Sequence, residues 1–561
     1  MNTRILKLIF PLLLLAGTAV CQNEEDKVKS MRMDAEYYFY NGDYEQALKI
    51  YKDILQVIPE NCNINYKIGI CYQRMPFEAG RSINYLKKAV KDVTADYIEG
   101  SVSENRAPIS AWYALARGYH TNKFYEEGVD AYQQYIDRLS PNELQARKRA
   151  MREMISCRTA AEIIKKPVPV EIFNIGNVLN TEFNDFNPCP TADAKNLFFT
   201  RLEKQQVIYK DGSLGSIERK LRIYTTKFLG GERWSAPIDI SDDLHTYGHC
   251  SVLSVNEEGT FMLICRHTAF MDMDDIQKGG ILYYSTRPDR ASNWTPMKKF
   301  GKNINVAKAL ISQAAISKDG KTLYIVSNKE GGIGGYDIWK SELKNEEKFE
   351  WSKLQNLGNV INTEYDESSP FILSDDKTLY FTSVGHYNMG GFDVFKSTLG
   401  NDGKWSEPEN LGHPINTPND NEFYKPAKDG QLGFYSVAYN EGYFTFGGFD
   451  IFQVEYVTPD ILVPATFKGK ITFEDKANNY KNVRVQVRKD ISNEVIKELR
   501  TDEEGNYECK LAEGKYTIEY VCPNYIRVQR RITVERSTEK KDIEIDMQLQ
   551  TDDLILIDDI D

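Results

Sequence analysis

Aspartates that follow paired glycines are the first candidates for chemistry in this sequence. The motifs GGYD, GGFD and GGFD place Asp337, Asp393 and Asp450 at nearly equal spacings along the chain. Carboxylates on a loop could bind calcium or a ligand, but an aspartate also accepts hydrogen bonds from nearby backbone amides and fixes its own turn. Because a catalytic residue is needed once and this one recurs, the pattern favours a structural role.

The glycines of the same motif, Gly335, Gly391 and Gly448, stand directly before the aromatic residue. Glycine lets a chain turn with positive φ or lets two backbones pass closely. We therefore predict that these glycines and their aspartates are structural marks of a repeated unit.

Two histidines form a second candidate metal site in the sequence. His245 and His249 would share a face if they lay on a strand, with Asp242 and Asp243 as the nearby carboxylates. We favour the other interpretation, a polar loop at a blade edge. The sequence contains no G-x-S-x-G, H-E-x-x-H or phosphate-binding loop motif. It therefore predicts no catalytic residue, no metal and no cofactor, and a protein that is not an enzyme.

Length and composition set the frame for these motifs. The chain has 561 residues, enough for roughly three or four domains. Its net charge is −12, and no long lysine or arginine tract is present, so nucleic acid is not an expected partner. Aromatic residues make up 12% of the chain, which is typical of β-sheet.

The N-terminal segment 1–21 has the pattern of an export signal. Two early cations precede an apolar run and then small residues that end at Cys21. Two outcomes stay open, namely ordinary cleavage before Gln22 or lipidation of Cys21 as in a bacterial lipoprotein. The expected location is the periplasm or the outer membrane, with membrane contact only through that N-terminal lipid.

Helical periodicity runs through residues 24–165. The segment AEYYFYNGDYEQALKIYKDILQVIPEN has a tight turn at Gly42, a small residue at Ala47 and a terminating Pro59. It resembles the tetratricopeptide repeat, and two further copies and a capping helix over 142–164 follow. The resemblance implies an α-solenoid whose concave groove is a docking surface.

Short apolar strands recur over residues 168–457. Segments such as LYIVS and LYFTS follow turn residues and precede the glycine–aspartate motif, and a tryptophan-containing strand follows it. Four strands per unit and five units predict a five-bladed β-propeller. A strand near 168–175 should complete the last blade and leave no open edge.

The segments ISKDGKTLYIVSNKEGGIGGYDIWKS and SSPFILSDDKTLYFTSVGHYNMGGFDVFKS resemble the PD40 family of WD40-like, TolB-like propellers. Residues 460–549, with TDEEGNY and LAEGKY, resemble a carboxypeptidase regulatory-like domain, which implies a transthyretin-like β-sandwich. Residues 550–561 form an acidic tail with an apolar centre. The fold class expected is therefore multidomain, with an α-helical part and two all-β parts.

The order of these parts resembles envelope proteins of Bacteroidetes that are associated with type IX secretion and gliding. Relatives commonly carry an OmpA-like domain that holds peptidoglycan, and this sequence ends without one, so peptidoglycan contact is not expected. The resemblance implies a noncatalytic scaffold at the periplasmic face of the outer membrane, with other envelope proteins, including secretion or gliding components, as partners. The alternatives are a glycan- or peptide-binding sensor that uses the propeller funnel, and a propeller hydrolase or lyase with an unrecognised site.

Overall fold

The computed structural model describes residues 26–550 except for eleven short internal segments. These are 76–78, 209–213, 231–232, 269–277, 439–444, 458–463, 475–479, 481–482, 491–494, 523–524 and 536–540. The described residues are mostly β, with seven helices near the N-terminus, so the chain is an α-plus-β protein built from several modules. They divide into two compact units, one from the ranges 1–168, 267–282 and 299–422, the other from 169–266, 283–298 and 423–561.

The α-helices of the described residues all belong to the first unit. They are α1 (26–40), α2 (Tyr44–Val57), α3 (Cys62–Arg74), α4 (Ser82–Ala89), α5 (Ser110–Thr121), α6 (Tyr125–Arg138) and α7 (Leu144–Ile163). No helix in the described part of the chain is both long and apolar enough to cross a membrane.

Sequence signals at the helix ends explain where the helices begin. The side chains of Asp43 and Asn61 accept hydrogen bonds from Gln46 N and Ile64 N and so cap α2 and α3. Tyr51 and Tyr132 are fully buried between neighbouring helices. Each large ring therefore fills an inter-helix core rather than a binding surface.

The described residues before the C-terminal module form twenty-four strands. They are β1 (Val93–Thr94), β2 (Ala107–Pro108), β3 (Val170–Asn174), β4 (Asn184–Pro190), β5 (Asn196–Ile208), β6 (Leu214–Gly230), β7 (Arg233–Trp234), β8 (Ile238–Asp239), β9 (Cys250–Val255), β10 (Phe261–His267), β11 (Gly280–Thr286), β12 (Lys298–Lys299), β13 (Ile311–Ile316), β14 (Thr322–Ser327), β15 (Asp337–Asn345), β16 (Glu350–Trp351), β17 (Gln355–Asn356), β18 (Glu367–Ile372), β19 (Thr378–Ser383), β20 (Asp393–Thr398), β21 (Glu409–Asn410), β22 (Glu422–Ala427), β23 (Leu432–Ala438) and β24 (Phe449–Tyr456).

Antiparallel sheets of about four strands recur along this region. In the first unit, β18–β19–β20–β21 form one such sheet. The strands β13–β14–β15, with the short β16 and β17, belong to a larger sheet in which Gly280 of β11 pairs with Ile311 of β13. In the second unit, β4–β5–β6 pair with β7 and β8, and β22–β23–β24 pair with β3. The strand near 168–175 is thus β3, which joins a sheet whose other strands begin only at Glu422. Its pairing covers the edge that β24 would otherwise expose.

The C-terminal module is a pair of sheets packed on one core, and its strands are β25 (Ala465–Phe473), β26 (Arg484–Lys489), β27 (Val495–Arg500), β28 (Asn506–Leu511), β29 (Gly514–Val521), β30 (Val528–Val534), β31 (Asp542–Glu544) and β32 (Met547–Leu549). One sheet has the order β28–β25–β31 with β32 beside β25, and the other has β27–β26–β29–β30. Phe467, Val485 and Ile518 are fully buried between them.

Candidate functional site

Backbone amides of the loop before each repeated aspartate donate hydrogen bonds to its carboxylate. Asp337 accepts hydrogen bonds from the backbone amides of Ile333 (2.5 Å) and Gly334 (3.1 Å) and from Asn356 Nδ2 (3.1 Å). A carboxylate that receives backbone donors fixes its turn. Asp337 therefore closes the glycine-rich loop on itself.

The other two aspartates repeat this arrangement. Asp393 accepts from Met389 N and Asn410 Nδ2, both at 2.8 Å. Asp450 accepts from the amide of Phe446 and from Asn174 Nδ2, also at 2.8 Å. Burial raises the pKa of Asp393 to about 8, and it raises the pKa of Asp450 as well. Burial and internal hydrogen bonds leave these carboxylates turned into the protein.

The second glycine of each pair lies in close contact with a residue just before or at the start of another strand. A Cβ at Gly335 would lie 2.2 Å from Asp366 Oδ1, and a Cβ at Gly391 would lie 2.0 Å from Asp420 Oδ1. At Gly448 the distance to Asn184 Oδ1 would be 2.0 Å. In each case the same oxygen accepts a hydrogen bond from the amide of the following aromatic residue, at 2.8–2.9 Å. The glycine thus removes the side chain that would separate this donor from its acceptor.

The two histidines proposed as metal ligands lie in the loop between β8 and β9 rather than on a strand. His245 has a positive φ of 50°, and β9 begins only at Cys250. Asp242 forms an ion pair with Arg222 at 3.1 Å. The two histidines therefore lie on a polar loop, the interpretation that the sequence favoured, because the chain turns at His245. Cys21, the candidate lipidation site, lies outside the described residues.

A groove in the first unit brings helix and sheet side chains together. It has a volume of about 420 Å³. One wall is α7, and the other consists of the turn at residues 364–365 and the loop 385–388 between β19 and β20. The sequence predicted this helix only as a cap, and it gave no sign of the facing loops, which come much later in the chain.

Exposed apolar side chains line this groove. Leu144, Met151 and Ile155 are 67%, 47% and 56% exposed, and Tyr387 on the facing loop is 62% exposed. The helical residues are seven and four positions apart, which puts them on one face of α7. Single exposed apolar residues are ordinary, but a contiguous apolar patch marks a binding surface.

Cations stand among these apolar side chains. Arg147, Lys148 and Arg152 line the groove together with Glu364, which is the one carboxylate among its described lining residues and forms an ion pair with Lys148. Lys148 Nζ and Arg152 Cζ lie 5.4 and 5.1 Å from the centre of the Tyr365 ring. The groove thus carries more positive than negative side chains, and an aromatic face supports two of them.

The wall opposite α7 is held in place by buried hydrogen bonds. Ser156 Oγ on α7 donates to Asn388 Oδ1, and His120 Nε2 on α5 donates to the carbonyl of Met389 at 2.7 Å. Asn388 also donates to the carbonyls of Val384 (3.0 Å) and Gly391 (3.1 Å). The groove is therefore largely preformed, which lowers the entropy cost of binding.

Comparison with known proteins gives distant matches only. No protein-family model and no curated protein matches the chain. An α-L-arabinofuranosidase from Lactobacillus brevis is 15% identical with a TM-score of 0.30, covering 51% of this chain and 93% of the other. Puromycin hydrolase is 8% identical, with coverages of 65% and 56% and a TM-score of 0.24. Trypanosoma rangeli sialidase is 8% identical, with coverages of 62% and 74% and a TM-score of 0.26.

The three neighbours share only 8–15% identity and TM-scores of 0.24–0.30 with this chain. All three are enzymes by name. That finding contradicts the prediction of a noncatalytic scaffold and the prediction that the protein is not an enzyme, and both are withdrawn. At these identities no activity of a neighbour is assigned to this chain.

Proposed function

We propose that this protein is a ligand-binding protein whose groove along α7 binds a peptide that carries acidic and aliphatic side chains. The observation that carries the proposal is the shared lining of the groove. Three cations and four exposed apolar side chains face one cavity of about 420 Å³. A ligand that fits must offer negative charge and apolar surface together.

Charge indicates the acidic part of the ligand. Arg147, Lys148 and Arg152 outnumber Glu364, the carboxylate that lines the same groove. Arg152 also pairs with Glu153 at 3.5 Å, and Lys148 pairs with Glu364. A ligand carboxylate that pairs with Arg147 would form a charge-assisted hydrogen bond. The exposed position of these groups makes their contribution to association rate and specificity larger than their contribution to affinity.

Apolar area indicates the aliphatic part. Leu144, Met151 and Ile155 form a stripe on α7 that a ligand side chain would cover, at roughly 25 cal/mol for each Å² removed from water. Methionine suits such a surface because its flexible thioether adapts to different partners. An aliphatic stripe favours a peptide over a glycan, which lacks long apolar side chains.

Fluorescence anisotropy tests the proposal with the full chain and a short labelled peptide of alternating aspartate and leucine. We expect saturable binding, and a peptide with lysine in place of aspartate should not bind. Lys148→Glu and Met151→Glu should each weaken binding about tenfold or more, equivalent to about 1.4 kcal/mol or more.

Matched controls exist on α1 and α2. Met33→Glu and Lys49→Glu make the same changes at exposed helical positions outside the groove, and they should leave binding unchanged. Equal loss in both sets, or binding of oligosaccharides without binding of the peptide, would refute the peptide site. Cleavage of the peptide during the titration would identify a hydrolase instead.

We also propose the finer architecture that the sequence indicates. The helices of 24–165 form tetratricopeptide repeats, 168–457 form a five-bladed propeller of the PD40 type, and 460–549 form a transthyretin-like sandwich. The paired antiparallel helices, the recurring four-stranded sheets and the fourth strand supplied by β3 support this division. An experimental structure of the full chain that shows another number of blades would refute it.

Export is the last part of the proposal. The signal-like residues 1–21 support a location outside the cytoplasm, with Cys21 as the candidate for lipid attachment. Intact-mass measurement of the protein purified from its native host distinguishes the two outcomes. A mature chain that begins at Gln22 would exclude a lipid on Cys21.

A further inference from the structure

A fully buried lysine and a fully buried cysteine meet in the second unit. Lys425 on β22 and Cys189 on β4 are each 1% exposed. The distance from Lys425 Nζ to Cys189 Sγ is 3.0 Å. The lysine also donates to Asn187 Oδ1 (2.6 Å) and to the carbonyl of Leu253 on β9 (2.5 Å). None of these three acceptors is a carboxylate, which is unusual for a buried lysine.

A β-bulge brings the sulfur to this position. The pairing of β4 with β5 shifts register between Phe186 and Cys189, and Asn187 between them has a φ of 55°. A bulge re-aims the side chains that follow it. Asn187 and Cys189 consequently both contact Lys425. Cys189 and Lys425 are 236 positions apart in the sequence, so this contact joins two distant strands.

We propose that Cys189 and Lys425 form a covalent sulfur–oxygen–nitrogen bridge when dioxygen oxidises the pair. This inference is independent of the peptide groove. One oxygen atom spans two atoms held 3.0 Å apart with little movement, whereas a direct sulfur–nitrogen bond would require the two atoms to move much closer together. The lysine is already aligned by Asn187 and Leu253, so the reacting atoms are held together before oxidation.

The reaction balances with dioxygen as the only co-reactant. The thiol sulfur and the amine nitrogen each give up two electrons, and dioxygen takes all four. One oxygen atom forms the new S–O and O–N bonds, and the other leaves as water. The pair carries three hydrogen atoms that take part; two leave in the water and one stays on nitrogen. Burial lowers the pKa of Lys425, which favours the neutral amine that this chemistry uses.

Such a bridge would be a redox-sensitive covalent cross-link within the second unit. It would join β4 to β22 and so restrict the unfolded chain across a long loop, as a disulfide does. Oxidised protein should therefore melt at a higher temperature than reduced protein, and a thiol reductant should reverse the difference.

Mass spectrometry of the full chain tests the proposal. Protein is purified under argon with a thiol reductant, the reductant is removed under argon, and one half of the protein is exposed to air before proteolysis. We expect a linked peptide containing Cys189 and Lys425, with a mass equal to the two peptides plus one oxygen and minus two hydrogens. Cys157, whose buried thiol donates to the carbonyl of Tyr125, is the internal control and should remain unmodified.

Variants sharpen the result. Lys425→Met removes the amine and keeps a long apolar side chain, and it should abolish both the linked peptide and the effect of air on the melting temperature. If that variant fails to fold, the presence or absence of the linked peptide in the air-exposed natural protein, compared with the protein kept under argon, still tests the proposal. Absence of the linked peptide in air, a linked peptide without the added oxygen, or conversion of Cys189 to sulfinic acid alone would overturn the proposal.

Discussion

The glycine–aspartate motif makes a sharp prediction at Gly334. An alanine Cβ there would lie 1.9 Å from the carbonyl oxygen of Tyr365 and 2.5 Å from that of Thr363. Both are backbone atoms, so no side-chain rotation can relieve the contact. Real Cβ atoms essentially never approach closer than 3.0 Å, and the two segments must therefore separate by about 1 Å.

The expected cost has two parts. Steric crowding of this kind typically costs about 1–3 kcal/mol. Separation also weakens the hydrogen bond from Gly334 N to Asp337 (3.1 Å) and that from Tyr336 N to Asp366 (2.8 Å), at about 1 kcal/mol each. Gly334→Ala should thus destabilise the first unit by about 3 kcal/mol, which for a unit of about 300 residues corresponds to roughly 5 °C in melting temperature.

Scanning calorimetry measures this loss, and hydrogen exchange locates it. Exchange should accelerate over 331–343 and 363–367. Gly301→Ala is the matched control, because no atom lies within 4 Å of its Cβ and its φ is not left-handed. Alanine there should be neutral or stabilise by about 0.4–1 kcal/mol through the unfolded state. Equal melting temperatures for the two variants would refute the close-passage explanation of the paired glycines.

Three further variants test buried charge in the first unit, all by denaturant unfolding. Burial raises the pKa of Glu367 to about 7, so the folded state binds the extra proton and this group's stabilising effect is lost as pH rises from about 4 to 7, by about 3 kcal/mol in total. Burial lowers the pKa of His120 to about 4, so its contribution has the opposite sign and is lost as pH falls from about 6.5 to 4. The stability of Glu367→Gln minus that of the natural chain should therefore rise with pH in this range. The same difference for His120→Gln should fall with pH. If neither difference depends on pH, the pKa shifts assigned to Glu367 and His120 are wrong. Glu153 accepts hydrogen bonds from Tyr113 (2.6 Å) and Tyr132 (3.0 Å) in the helical core, and Glu153→Gln should cost about 2–4 kcal/mol, whereas Glu162→Gln on the exposed face of α7 should change stability by less than about 0.5 kcal/mol.

The sequence by itself predicted the features that depend on local chemistry and period. The spacing of Asp337, Asp393 and Asp450 indicated a repeated unit, and each aspartate does bind the loop just before it. Turn residues and helix caps act within a few positions of the chain, so their effect can be read from neighbouring letters. The same reasoning placed a strand near 168–175, because a repeated unit with a missing strand has to obtain it elsewhere.

Only the tertiary structure decided which distant residues meet. The groove joins α7 to a loop much later in the chain, and Lys425 meets Cys189 across 236 positions. Such pairs carry no local signal, because the contact is set by how helices and sheets pack rather than by the order of residues.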